Sequence, residues 1–328
     1  MRDAGTSHCI THRPLALTMI AMAAVFAGGT ATSQAAPLTA LEILEQFNAV
    51  IAGSFTSAHD VEGRLVANTM TGGATFYQPR GTAAASTFGA VNAITITNGI
   101  TNANVDNGGS VNWVASDAGR FNMNGSGTIA RNNPSFAITD FTNPLNALVT
   151  QLSGLTANST VNANDPNNFI FKESNSSRTA VFSLSASQLE NARNLVFSGT
   201  ASTIIIDVTE PNSATPINLT GVNFNASGDL NRQIIWNFET ATSVAFSGWH
   251  GTVLAEDATV TNSSAMEGGL YAKNFQGGGE LHDFTFDGTL PADPASVGIL
   301  EPGSITLLGA GLVGIACVRR RRRTSGCA

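Results

Sequence analysis

The sequence predicts a mainly β protein, a β-solenoid or β-helix-like domain with a few short helices packed on it. Three observations carry that expectation. Between Ile234 and Pro291 the chain runs in short apolar pulses, each cut off by Gly, Asn, Asp or Ser, as short strands joined by tight turns require. Within this stretch, Gly251-Thr-Val253-Leu254-Ala255 and Gly268-Gly-Leu270-Tyr271-Ala272 share the pattern Gly-x-apolar-apolar-Ala at a spacing of 17, and Gly63-Arg64-Leu65-Val66-Ala67 repeats it upstream. A recurring strand-and-turn unit buries its apolar side by stacking on the next copy, as a solenoid rung does. From Gly72 to Thr142, finally, apolar residues fall in i, i+2 pairs, the strand period: Ile94 and Ile96, Val111 and Trp113, Phe121 and Met123, Phe136 and Ile138.

Taken in order, residues 1–35 read as a secretory signal peptide. Arg2 and Arg13 precede the apolar run from Leu15 to Gly28, and small residues lead to cleavage after Ala35. That run is shorter than the ~20 residues a membrane-spanning helix needs. Thr39-Ala-Leu-Glu42 is a capping box opening a short helix with Leu41, Leu44 and Phe47 on one side. Asn48 to Phe55 reads as a strand broken at Gly53. Asn143-Pro144 marks a helix start, as cap and first residue, and Leu145, Leu148, Val149, Leu152 and Leu155 follow at helical spacing. A second capping box, Ser185-Ala-Ser-Gln188, opens a short helix through Leu189 and Ala192. Leu195 to Phe197 and Thr203 to Val208 read as strands. The Ile204-Ile205-Ile206 run suits a strand buried on both sides, and Glu210-Pro211 ends it. No break in composition divides residues 36–299, which form one expected domain.

Residues 300–328 read as a sorting tail. Leu300-Glu301-Pro302-Gly303-Ser304 is followed by 14 apolar residues, Ile305 to Val318, and then by Arg319, Arg320, Arg321, Arg322 and Arg323. At ~1.5 Å per residue the run spans roughly 21 Å of a ~30 Å hydrocarbon core, so membrane insertion is expected to be transient. The arginines hold the C-terminus on the cytoplasmic side and leave the domain outside.

Composition narrows the function. Cys9, Cys317 and Cys327 lie in the two signals, so residues 36–300 have neither disulfides nor thiolate metal ligands. Those residues hold 9 Lys and Arg against 21 Asp and Glu, a net charge of −12. Such a surface disfavours nucleic acid and anionic membrane as partners.

Candidates for chemistry are thin, and no catalytic, cofactor or metal residue is assigned. His59, His250 and His282 are scattered in the sequence; His282-Asp283 with Glu280 offers a metal or acid/base cluster, although a shared outer side of one strand is the favoured reading of Glu280 and His282. Asp60 with Glu62, and Asp283 with Asp287, are the pairs a polysaccharide-cleaving solenoid would use, although a solvated acidic face is the favoured reading of them. The positive signal is Thr95-Ile-Thr97 and Thr259-Val-Thr261, because ladders of hydroxyl and amide groups on a β-face can match a polysaccharide or a water lattice. Trp113 and Trp249 offer rings for stacking on sugars, although burial is the commoner fate of tryptophan. With Asp60 and Glu62 they make up a possible ligand face.

Two resemblances add to this. The tail resembles the PEP-CTERM sorting signal, a Pro-Glu-Pro motif, short membrane helix and Arg-rich end, with Leu300 in place of the first proline. It implies export from a Gram-negative cell, signal peptidase and exosortase as processing partners, and a setting of exopolysaccharide or biofilm matrix. Several segments resemble the choice-of-anchor A domain: Gly53-Ser-Phe-Thr with Asp60-Val-Glu-Gly-Arg; the helix at Leu145 to Leu155; Trp236-Asn-Phe-Glu-x-Ala241-Thr242; Gly251-x-Val253-Leu254-Ala255; Gly279-Glu-Leu-His; and Phe286-x-Gly288-x-Leu290-Pro291. That likeness implies a non-enzymatic adhesive or structural protein of the cell surface or matrix. The alternative is a carbohydrate-binding or carbohydrate-cleaving solenoid.

Overall fold

The computed structural model describes residues 37–72, 74–81, 83–97, 103–117, 120–174, 178–210, 212–224 and 228–291. The expected signal peptide and sorting tail lie outside these residues, with Ala35, Glu301, Pro302, Gly303 and Arg319 to Arg323, as does Pro211. Among the described residues no helix is long and apolar enough to cross a membrane.

The chain winds into a three-sided parallel β-solenoid. Its first face stacks ten strands in the order Thr179–Ser185, Thr203–Thr209, Ile234–Asn237, Thr252–Asn262, Leu270–Gly277, Ala49–Ser57, Leu65–Thr71, Val91–Ile96, Val111–Asp117 and Ile129–Arg131. Spatial order is therefore not chain order: the strand nearest the N-terminus sits mid-stack, beside the rung of Leu270. In-register pairing makes one inward ladder of Phe182, Ile206, Trp236, Val253, Leu270, Ala49, Leu65, Val91, Val111 and Ile129. All are at most 3% exposed except the last, Ile129, at 47%. Val253, Leu270 and Leu65, the third residues of the three Gly-x-apolar-apolar-Ala units, thus hold equivalent inward positions.

Several strands are long enough to turn the corner onto a second face, with register shifts at the bend, after Ile51 and after Ala255. There Ile217, Val244, Val260, Phe275, Phe55, Met70 and Ile96 form the second inward ladder. Trp249, Met266, Leu281, Val61, Phe76, Val105 and Met123 form the third. The three ladders meet in one core. At ~1.5–3 kcal/mol per large apolar side chain, that burial is the main source of stability.

Tight corners make the stacking possible. Gly63, Gly89, Gly109 and Gly127 each stand two positions ahead of a first-face strand and lie in one column. A Cβ on Gly109 would sit 2.7 Å from the Ala90 Cβ and 2.8 Å from Tyr77 Cδ1, closer than real Cβ contacts allow. At Gly268, where φ is +157°, it would collide with the Gly251 carbonyl of the rung beside it.

The outer side of the first face is buried too. Val50, Val66, Val181, Ile205, Ile235, Leu254 and Tyr271 point away from the solenoid core. They are covered by α1 (Ala40–Gln46) and α2 (Thr139–Ser153) through Ile43, Leu44, Phe141, Leu145, Leu148, Val149 and Leu152. The predicted capping boxes are present in both directions, Thr39 with Glu42 at α1 and Ser185 with Gln188 at α3 (Ala186–Glu190). Two expectations need correction. The middle helix begins at Thr139, about one turn before Asn143-Pro144, because the Asp140 carboxylate accepts the Ala137 N–H at 2.8 Å and holds the first turn. Phe136 and Ile138 are not strand but the approach to α2, where Phe136 packs edge-on against Phe88 and Phe141 at 6.0 and 5.9 Å.

Leu270→Asp would place a charge in the inward ladder and should cost about 4 kcal/mol or more, a large part of the ~5–15 kcal/mol typical of a domain. Thr259→Asp, on an outward and partly exposed position of the second face, should shift the melting temperature little. Thermal melts compare the two, and equal small shifts would refute the ladder.

Candidate ligand-binding face

The second face repeats one short unit, polar-apolar-polar, whose central residue points inward. Strand alternation then sends both polar neighbours to the outside. Thr69-Met70-Thr71, Thr95-Ile96-Thr97, Thr259-Val260-Thr261, Ser54-Phe55-Thr56 and Asn274-Phe275-Gln276 are five copies. Stacked in parallel, they form two rows. One runs Ser243, Thr259, Asn274, Ser54, Thr69, Thr95. The other runs Asn218, Ala245, Thr261, Gln276, Thr56, Thr71, Thr97.

Within each row, hydrogen bonds tie neighbouring rungs to one another. Asn274 Nδ2 donates to Thr259 Oγ1 at 3.3 Å, and the Ser54 N–H donates to Asn274 Oδ1 at 3.0 Å. Thr97 Oγ1 donates to Thr71 Oγ1 at 3.1 Å. Neighbouring strands lie ~4.8 Å apart and alternate residues of one strand ~6.6 Å apart, so the face is a two-dimensional grid of hydroxyl and amide groups. Neither row carries an ionisable side chain, and β-branched threonine has little rotamer freedom to lose on contact. The grid can donate and accept hydrogen bonds at regular intervals. Only its Thr95-Ile-Thr97 and Thr259-Val-Thr261 segments stood out in the sequence.

The residues expected to form a ligand face do not lie together. Trp249 is fully buried, its ring 4.9 Å from Trp236 and 4.8 Å from Phe246, so it cannot stack on a sugar. Trp113 belongs to the first face, half-buried beneath the Arg131 guanidinium at 5.0 Å. Asp60 and Glu62 flank Val61 on one side of the third face, as alternation requires, but both are engaged within the fold. Asp60 accepts the Thr75 N–H, and Glu62 accepts Arg80 through Nε at 2.6 Å and Nη2 at 2.7 Å. Asp283 and Asp287 do not converge either: Asp283 is buried and accepts the Arg80 N–H, whereas Asp287 pairs with Arg232.

Sequence reasoning missed one cluster. His250, Glu267 and His282 are cross-strand neighbours on the third face, with His250 Nδ1 3.3 Å and His282 Nδ1 3.8 Å from the Glu267 carboxylate. His282 Nε2 lies 2.9 Å from Glu280, and Asn231 donates to Glu267 at 2.6 Å. The signal was an apolar-then-titratable pair recurring at Trp249-His250, Met266-Glu267 and Leu281-His282. Among the described residues no group of three or more His, Cys, Asp or Glu is arranged to hold a metal ion.

A family model described as "Putative Ice-binding-like adhesive domain" matches residues 40–283. Among solved structures, an ice-binding protein from an Antarctic ascomycete, Antarctomyces psychrotrophicus, is similar at 12% identity over 75% of this chain and 98% of that one, with a TM-score of 0.26. No curated protein matches the chain.

Burial holds the His250 imidazole below its ordinary value despite the Glu267 carboxylate beside it. The unfolded chain then takes up a proton near pH 6.5 that the folded state refuses, so this site's stability is present above about pH 6.5 and lost as pH falls below it. Asp207, Asp283 and Glu256, pushed up by burial, act in the opposite sense: what they cost is relieved as pH falls through their raised values. His250→Gln should flatten the decline in melting temperature between about pH 7 and pH 5.5. An unchanged slope would refute this assignment.

Proposed function

The chain belongs to the ice-binding-like adhesive domain family, and from that premise we propose that it is a non-enzymatic adhesive protein working outside the cell. Its adhesive surface is the two-row grid of the second face, and its ligand is a solid, repeating, hydroxyl-rich surface, the polysaccharide of the surrounding matrix. The observation that carries this reading is the grid itself. A single soluble sugar would need a pocket, whereas rows of Thr, Ser, Asn and Gln at strand spacing suit a ligand that repeats in two directions. Cleavage is the weaker reading, because it needs two facing carboxylates. Three surface grooves, of about 370, 270 and 380 Å³, are each lined by at most one, none in the first, Glu173 in the second and Glu267 in the third.

Two parts of the proposal rest on the sequence. Export and release follow from the signal peptide and the PEP-CTERM-like tail, and a matrix role follows from the choice-of-anchor A likeness. A second reading of the ligand, ice, is favoured by the threonine pairs and by the family's description.

Binding of the exported chain to microcrystalline polysaccharide and its partition into growing ice separate these readings. Thr71→Lys and Thr261→Lys, which break the hydroxyl rows without touching the core, should weaken binding by about tenfold each, or ~1.4 kcal/mol. Unchanged binding to both solids in both variants would refute the face. Mass spectrometry of the extracellular protein should find no peptide beyond about Gly303. Intact Arg319–Arg323 there would refute tail removal.

A further inference from the structure

A different surface runs along the corner where the third face turns into the first. Residues just ahead of Leu65, Val91, Val111 and Ile129 line a groove there of about 370 Å³. It crosses four rungs, roughly 14 Å at ~4.8 Å per strand. Ser110 and Thr128 supply hydroxyls, and Tyr77 and Phe88 supply rings.

Arg64 gives this groove a charge. Its Nη1 donates to the carbonyl oxygens of Gln46 at 3.2 Å and Ala84 at 3.1 Å, and its Nη2 donates to the Tyr77 hydroxyl at 3.4 Å. The guanidinium also lies 5.7 Å from the Tyr77 ring centre. These bonds occupy Nη1 and one Nη2 hydrogen. Nε–H and one Nη2–H carry no bond among the described residues, and Nε and Nη2 share one edge of the guanidinium. That edge is the fork which accepts a carboxylate bidentately. Asp283, buried nearby, feels the charge of Arg64, but the bonds of Arg64 go to carbonyls and a phenol.

Tyr77 is itself held in an unusual state. Its φ is +69°, the left-handed region that bulky residues avoid. Such strain persists where the surroundings impose it, and it concentrates at ligand clamps. Here the ring is fixed between Arg64 and the corner at Gly109.

We infer that this groove binds a carboxylate-bearing sugar, a uronic acid unit of an acidic polysaccharide. The carboxylate takes the open edge of Arg64, the C–H side of the ring lies on Tyr77 and Phe88, and the ring hydroxyls meet Ser110 and Thr128. The site is separate from the second-face grid, which carries no charge, and stands or falls independently of it.

Calorimetric titration of the exported chain tests this, with trigalacturonate, its methyl ester, a neutral glucose trimer and inorganic phosphate as probes. The acid trimer should bind about tenfold more tightly than the ester and the neutral trimer, since charge-assisted hydrogen bonds are roughly twice as strong as neutral ones. Arg64→Lys keeps the charge and loses the fork, and should weaken the acid trimer by about tenfold. Thr128→Trp fills the groove from an exposed position and should abolish binding without lowering the melting temperature. Thr71→Lys, on the other face, should leave it unchanged. No binding, equal binding of acid and ester, or full affinity in Thr128→Trp would overturn the site. Phosphate binding as tightly as the trimer would overturn the sugar and leave an anion site. If Arg64→Lys fails to fold, Thr128→Trp decides.

Discussion

Everything in this molecule depends on the chain returning to the same place once per turn, with each strand in register against the strand of another rung. Register lets Val253 stack on Leu270 and Phe55 on Phe275, so that three inward columns fill one core. It requires corners so tight that a side chain would not fit. The glycines at 63, 89, 109 and 127 meet that need at one corner, and the same closeness produces the wall of the Arg64 groove. Core, corners and outer grid are three consequences of one translation of ~4.8 Å per rung.

What was legible in the sequence was the part of this repeat that uses two adjacent apolar residues. Gly-x-apolar-apolar-Ala marks rungs where the second apolar residue faces a helix, as Val66, Leu254 and Tyr271 do. Gly89-Ala-Val91-Asn92 and Gly109-Ser-Val111-Asn112 are the same corner and the same inward ladder, but the pattern passed over them. There the outward residue meets backbone carbonyls instead of a helix, and an asparagine serves: Asn92 donates to the Gly89 and Leu65 carbonyls, and Asn112 to that of Pro134. The helices with capping boxes were readable because their signals are local. The start of α2 was not, since Asp140 holds a turn ahead of the more conspicuous Asn-Pro pair.

The candidate face was legible only as fragments. Two Thr-x-Thr segments can be seen in the chain, but the grid needs Ser54 beside Asn274, neighbours that stand 220 positions apart. The histidines were misjudged for the same reason, because parallel stacking turns spacings of 17 and 15 residues into adjacency. Trp249 shows the opposite error. An aromatic residue in a polar, repetitive sequence invites a functional reading, yet its inward parity made it core.

The place of Ala49–Ser57 in the stack has a consequence for how the molecule comes into being. This strand pairs with Leu65–Thr71 on one side and with Leu270–Gly277 on the other. Rungs made from residues 65–131 grow from one edge of it, and rungs from 179–277 are gathered on the other. It is a keystone that arrives first and is locked last. During synthesis or passage across a membrane, one edge of the central seam stays open until residue 270 is present, with its backbone groups exposed to any strand that comes near. Contacts so distant along the chain close slowly. Assembly therefore behaves like a clasp, in which two half-solenoids become one body only when nearly the whole domain has arrived.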